Sequence, residues 1–158
     1  MAAHSSLQAR RPGTRGSTLI EFSLVLPLML LLFFGVFDFG RILYIQLTLQ
    51  SAVREASRLT VTGNVLPDPD HPGEYLDRIE SIIHRIQTVA PGLHVTPDQI
   101  SIIGPGGAGS PGGPGDLVTI RVDYEIDILT PLVRPVFPDG AYPCTVYMIS
   151  RNEPFPGT

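Results

Sequence analysis

The chain has 158 residues, 43% of them apolar and 16% charged, with a formal net charge of -4 at pH 7. That balance excludes a nucleic-acid binder working through clustered cations. A single cysteine excludes a thiolate zinc site within one chain, and the absence of lysine excludes a phosphate-loop lysine.

The first element is a leader, residues 1–16, carrying Arg10, Arg11 and Arg15 and no acid. Ser17-Thr18-Leu19-Ile20-Glu21-Phe22 follows, and then Ser23 to Phe37 runs without a charge. A helix of about twenty residues at about 1.5 Å each crosses a hydrocarbon core of about 30 Å, so residues 17–40 are expected to span a membrane once. The arginines place the leader in the cytoplasm and the remainder outside, as the positive-inside rule requires. Asp38 and Arg41, three apart, share one face of a helix at the outer end of the span.

Glu21 is the unusual residue, because a carboxylate inside a span is costly and has a reason to be there. Cleavage between Gly16 and Ser17 would put a new amino group about one helical turn from it. The plainer alternative is an uncleaved signal anchor in which Glu21 is incidental. A secretory signal peptide has a shorter apolar run and a small-x-small cleavage site, which Val36-Phe37-Asp38-Phe39-Gly40 does not offer. A twin-arginine signal at Arg10-Arg11 is disfavoured by the Pro12-Gly13 that follows.

Beyond the span, Ile42, Ile45, Leu49, Ala52, Ala56 and Leu59 form an apolar stripe at spacings of three and four, which predicts that the helix continues over residues 41–63. Gly63-Asn64 closes it. Pro27 removes one backbone hydrogen bond inside the span and is expected to bend or loosen it. Residues 64–158 then read as a small outer domain. After a turn at residues 66–73, a second amphipathic helix is expected over residues 74–90, ended by Pro91-Gly92. A short strand follows near residues 99–103, and then a Gly/Pro-rich run, 104–115, expected to be a flexible loop. Val118, Ile120, Val122, Tyr124, Ile126 and Ile128 alternate with polar residues in the clearest strand, and a last strand is expected over residues 141–150. The fold class is therefore α+β: a long helix, a second helix and a three-stranded antiparallel sheet.

Catalytic and ligand chemistry find little support. His4, His71, His84 and His94 show no metal-ligand spacing. Gly104 to Gly109 spells GxGxxG after a strand, but proline and more glycine stand where a helix would have to begin, so no pyrophosphate site results. Asp68, Asp70 and Glu74 read as a solvated turn rather than a calcium site. Cys144 reads as a small buried residue, the alternative being a disulfide to another chain. No cofactor, metal or catalytic residue is expected, and the chain is not expected to be an enzyme.

Arg15-Gly16, Glu21-Phe22, Pro27, Phe34 to Tyr44, Gln46 and Leu49 to Arg58 resemble the TadE-like minor pseudopilins of tight-adherence (Tad/Flp) pili. The resemblance is close over residues 15–63 and looser at Val118 to Leu132 and Ser150 to Glu153. It implies a pilin-like fold, cleavage after Gly16 by a membrane prepilin peptidase that reads Gly16, Ser17, Glu21 and Phe22, and a structural role in starting or assembling a filament for adhesion or secretion. The implied partners are that peptidase, other pilin-like subunits, the pilus assembly platform and the membrane, with no nucleic acid. The implied location is the bacterial inner membrane, with incorporation into a surface pilus. Glu21, Pro27, Gly35, Asp38 and Arg41 are the candidates for subunit registry and span packing; for Pro27 and Gly35 the alternative is simple tolerance in a lipid-facing helix. The competing function is an unprocessed single-pass anchor whose outer domain binds a partner of an envelope secretion system.

Overall fold

The computed structural model describes residues 15–154, with side chains from Thr18 onward; the leader residues 1–14 lie outside the described residues. Helix α1, Arg15–Thr62, runs 48 residues without a break and passes through Pro27. It is long and apolar enough to cross a membrane, and the most apolar window of it is fully exposed. Its outer half is a different surface. Ile45, Leu49, Ala52, Val53 and Ala56 are buried, which places the expected stripe on the core. The stripe also drifts around the helix, so that Ser57 and Thr60 close it in the last turns while Leu59 is only half-buried. Thr60 fits there because its hydroxyl donates to the Ala56 carbonyl at 3.2 Å and so carries no unpaired polar group into the core.

Helix α2 is Arg78–Val89, shorter than the periodicity predicts. Leu76 is in phase with the apolar stripe, yet it belongs to the segment before the helix: its amide donates to the Leu66 carbonyl, and Asp68 donates to Glu74. The boundary is set by a capping box. Asp77 accepts from the Glu80 amide at 2.6 Å, and the Glu80 carboxylate accepts from the Asp77 amide at 3.3 Å.

The sheet has four strands, not three. Strands β1 (Ile100–Gly104), β2 (Gly107–Ala108), β3 (Leu117–Asp127) and β4 (Ala141–Arg151) lie in the order β2-β1-β3-β4, all antiparallel. The fourth strand is β2, a two-residue edge that folds back on β1 within the Gly/Pro run. That run is also fastened. Arg78 donates to the Gly112 carbonyl at 2.6 Å, and the Asn152 amide donates to the carbonyls of Pro111 and Gly113. Gly112 has φ +65°, and a Cβ there would stand 3.0 Å from Val118, so glycine fits the loop where a side chain would strain it.

One face of the sheet packs on α1 and α2. Ile102, Val118, Ile120, Val122, Ile126, Cys144 and Val146 meet Leu49, Ala52, Val53, Ile82 and Ile86 in one cluster. Each aliphatic side chain buried this way contributes about 1.5–3 kcal/mol, and the alanines at 52 and 56 let the helix approach closely. The Cys144 thiol lies inside this cluster, and burial raises its pKa. In native protein it should therefore resist thiolate-selective alkylation and react once denaturant is added; rapid labelling of the native chain would contradict this packing.

Candidate functional site where the long helix meets the sheet

Within α1, Gly16 and Ser17 occupy the first turn and Glu21 and Phe22 the next, with Phe22 exposed on the apolar half. Pro27 lies in the middle of that half. A Cβ added at Gly35 would meet nothing within 4 Å, so the glycine faces open space. These residues are strung along one rod, and the fold does not gather them to a point.

Asp38 and Arg41 are different. The face they share looks at the sheet, and both reach the chain leaving β3. The Asp38 side chain is 7% exposed despite its place beside the apolar half. One of its carboxylate oxygens accepts from the Leu129 amide at 3.0 Å, and the other from the Thr130 amide at 2.9 Å and from the Thr130 hydroxyl. Arg41 donates to the Asp127 carbonyl at 2.8 Å. A buried carboxylate with three donors is well satisfied. Its lone pairs are spent on holding the β3–β4 connection to the helix, which makes it a clamp.

A second fastening lies at the other end of the domain. The Glu153 amide donates to the Val61 carbonyl at 2.9 Å, and Arg78 reaches the Thr60 carbonyl at 3.4 Å. Sequence reasoning did not assign Thr130, Arg78 or Asn152 a role. The available signals were an aspartate flanked by Phe37 and Phe39, and the Leu129-Thr130-Pro131-Leu132 segment, but nothing in the spacing joins residues ninety apart in sequence.

The fold places one further cluster together. Asp68, His71 and Glu74 bring one donor atom each within 4.8 Å of one another. Asp68 is already bonded to His71 Nδ1 at 2.9 Å and to the Asp70 amide at 2.8 Å, and Glu74 donates its amide to the His71 carbonyl, so these bonds close an exposed turn. Bonding to the Asp70 amide and to His71 holds the Asp68 carboxyl below its ordinary range.

The long apolar helix that continues into a buried stripe is the arrangement that the spacing of apolar residues predicts. Residues 16–58 match the TadE-like protein family. The TadE-like segment thus covers the apolar half of α1, the Asp38–Arg41 clamp and most of the buried stripe, and it bears out the resemblance read there. The family is one of pilus-associated structural proteins, linked to Tad pilus systems. The looser likeness at Val118 to Leu132 and Ser150 to Glu153 lies beyond the matched residues. No curated protein and no solved structure gives a significant match to the chain.

Proposed function

We propose that the chain is a minor pilin or pseudopilin of a Tad/Flp-type pilus, processed by a prepilin peptidase after Gly16 and acting in filament assembly or initiation, for adhesion or secretion. The observation that carries this reading is where the TadE-like match begins, at residue 16, next to the peptide bond whose cleavage would free the Ser17 amino group. A continuous helix from Arg15 to Thr62 with its apolar half exposed supports it, because such a surface needs lipid or other helices to cover it. On this reading residues 1–16 are a cytoplasmic leader, 17–40 the span, 41–63 its extension, and 64–158 an extracytoplasmic domain. The protein sits in the bacterial inner membrane before it joins a surface filament. Glu21 pairs with the amino group of Ser17 on its own or a neighbouring chain and fixes the stagger between subunits. Pro27 and Gly35 shape the contact between spans, and the partners are the peptidase, other pilin-like subunits and the assembly platform.

The test is intact-protein mass measurement with amino-terminal sequencing, on the chain recovered from its host's membranes and from sheared surface filaments. A chain beginning at Ser17, present in the filament fraction, is the expected result. A chain still beginning near Met1 would replace this reading with an unprocessed anchored binding module.

A further inference from the structure

The β3–β4 connection, residues 128–140, carries side chains that its position in a water-facing domain does not explain. Leu129 is 66% exposed, Leu132 72% and Val136 77%, with Pro131 and Pro135 exposed between them. The Asp38 clamp fixes where this surface lies. Leu129 and Pro131 join Phe33, Phe34, Phe37 and Asp38 in lining a recess of about 530 Å³ against α1. Phe33 and Phe37, whose ring centroids are 4.9 Å apart, stand seven and three residues before Gly40, the last residue read as span. On a helix that is about 10 Å and about 4 Å below the end of the span. Through Leu129 and Pro131 the exposed apolar surface of the connection therefore meets the apolar surface of α1 below Gly40.

A second observation concerns the backbone. Irregular chain at membrane depth is tolerated only where its polar groups are satisfied within the protein. Three of the thirteen residues of this connection are proline and have no N–H. Eight of the other ten amides donate within the protein: Leu129 and Thr130 to Asp38, and Ile128, Val133, Arg134, Val136, Phe137 and Gly140 to carbonyls of the same connection. An ordinary surface loop has water to satisfy these groups. Here the 3-10 turns at Arg134–Val136 and Pro138–Gly140, and the aspartate beneath them, do so. The one cation of the connection, Arg134, folds its stem over Gly140, and its guanidinium suits the headgroup level.

We propose that residues 128–140 are a lipid-contacting foot, which seats the outer domain on the outer leaflet of the bilayer that α1 crosses, with Leu129, Pro131, Leu132 and Val136 entering the interface. The foot rests on the membrane-anchored reading of α1 and needs neither cleavage nor a filament. The chain contains no tryptophan, so a single introduced indole reports its own surroundings. The full chain is reconstituted into phosphatidylcholine vesicles containing phosphatidylcholine brominated high on its acyl chains or, for the span control, deep on them, as the variants Leu132→Trp, Val136→Trp, Tyr147→Trp on the exposed face of β4, and Leu28→Trp in the span. The expected result is blue-shifted emission that bromine quenches strongly at positions 132 and 136, and water-like, unquenched emission at 147. Unquenched emission at both 132 and 136, with quenching at 28, overturns the foot and leaves the anchor standing. A blue shift at 132 and 136 that ignores bromine and grows with the ratio of protein to lipid also overturns it, since a neighbouring subunit then covers the surface. Absence of quenching at 28 overturns the anchored reading itself, and the foot with it.

Discussion

Asp38→Ala should release the β3–β4 connection from α1 and lower the stability of the outer domain by about 3 kcal/mol or more. The substitution removes an acceptor for two backbone amides and one hydroxyl, and leaves those donors in a place where the side chain they served is 7% exposed. Hydrogen bonds to a charged group are each worth about 1.5–3 kcal/mol, and a buried donor left without a partner costs about 1–3 kcal/mol, so a partial sum already reaches this figure. Asp38→Asn should be milder, because one amide oxygen can still accept from a backbone N–H while the amide nitrogen faces donors. Thr130→Val tests the hydroxyl alone and should cost about 1 kcal/mol. Denaturant unfolding in a fixed micelle gives the ranking, and limited proteolysis at residues 128–140 shows whether the connection is the part that comes free. An Asp38→Ala chain as stable as the parent would mean that the clamp contributes nothing net.

Glu21→Ala should leave the outer domain folded and abolish incorporation into filaments. Glu21 is exposed and stands seventeen residues before Asp38, about 25 Å along the helix, so the packed core does not depend on it. Breaking a buried ion pair costs about 3–5 kcal/mol, and even half of that at each subunit contact lowers incorporation more than about tenfold. Glu21→Gln separates charge from shape: it keeps the side chain's length and should fail as the alanine variant does. The readout is the ratio of chain in sheared filaments to chain in membranes, with unfolding of the outer domain as the control. Incorporation at the parent's level for either variant would remove the registry role from the proposal.

Much of this architecture is legible in the sequence because it is local. The stripe from Ile42 to Ala56 and the alternation from Val118 to Ile126 are periodic patterns, and Ile45, Leu49, Ala52 and Ala56 of α1 and the buried residues of β3 follow them. Strand β2 escaped notice because Gly107 and Ala108 carry no alternation to read; their pairing with Ile103 and Gly104 is a property of the turn between them. The Gly/Pro run, expected to be a flexible loop, has its carbonyls held by the side chains of Arg78 and Asn152 from elsewhere in the chain. The start of α2 was legible after all, in Asp77 and Glu80, but the apolar phase of Leu76 pulled the boundary toward Glu74. Asp38 shows the limit most clearly. Its spacing to Arg41 puts the two on one helix face, whereas its partners lie 91 and 92 residues away, a distance across which periodicity carries no information.

The outer domain is fastened to its helix at two heights, at Asp38 and Arg41 and again at Val61, twenty-three residues or about 35 Å apart. Tension applied at the amino end of α1 therefore reaches the lower fastening first, and through Arg41 the end of β3 with it. From there it spreads along the buried stripe between Ile45 and Thr60. A domain loaded along the helix axis must shear the packed interface of α1 with the sheet and α2 along its length. On the proposed pilin reading the helix can be drawn axially, with the sheet carried beside it as cargo.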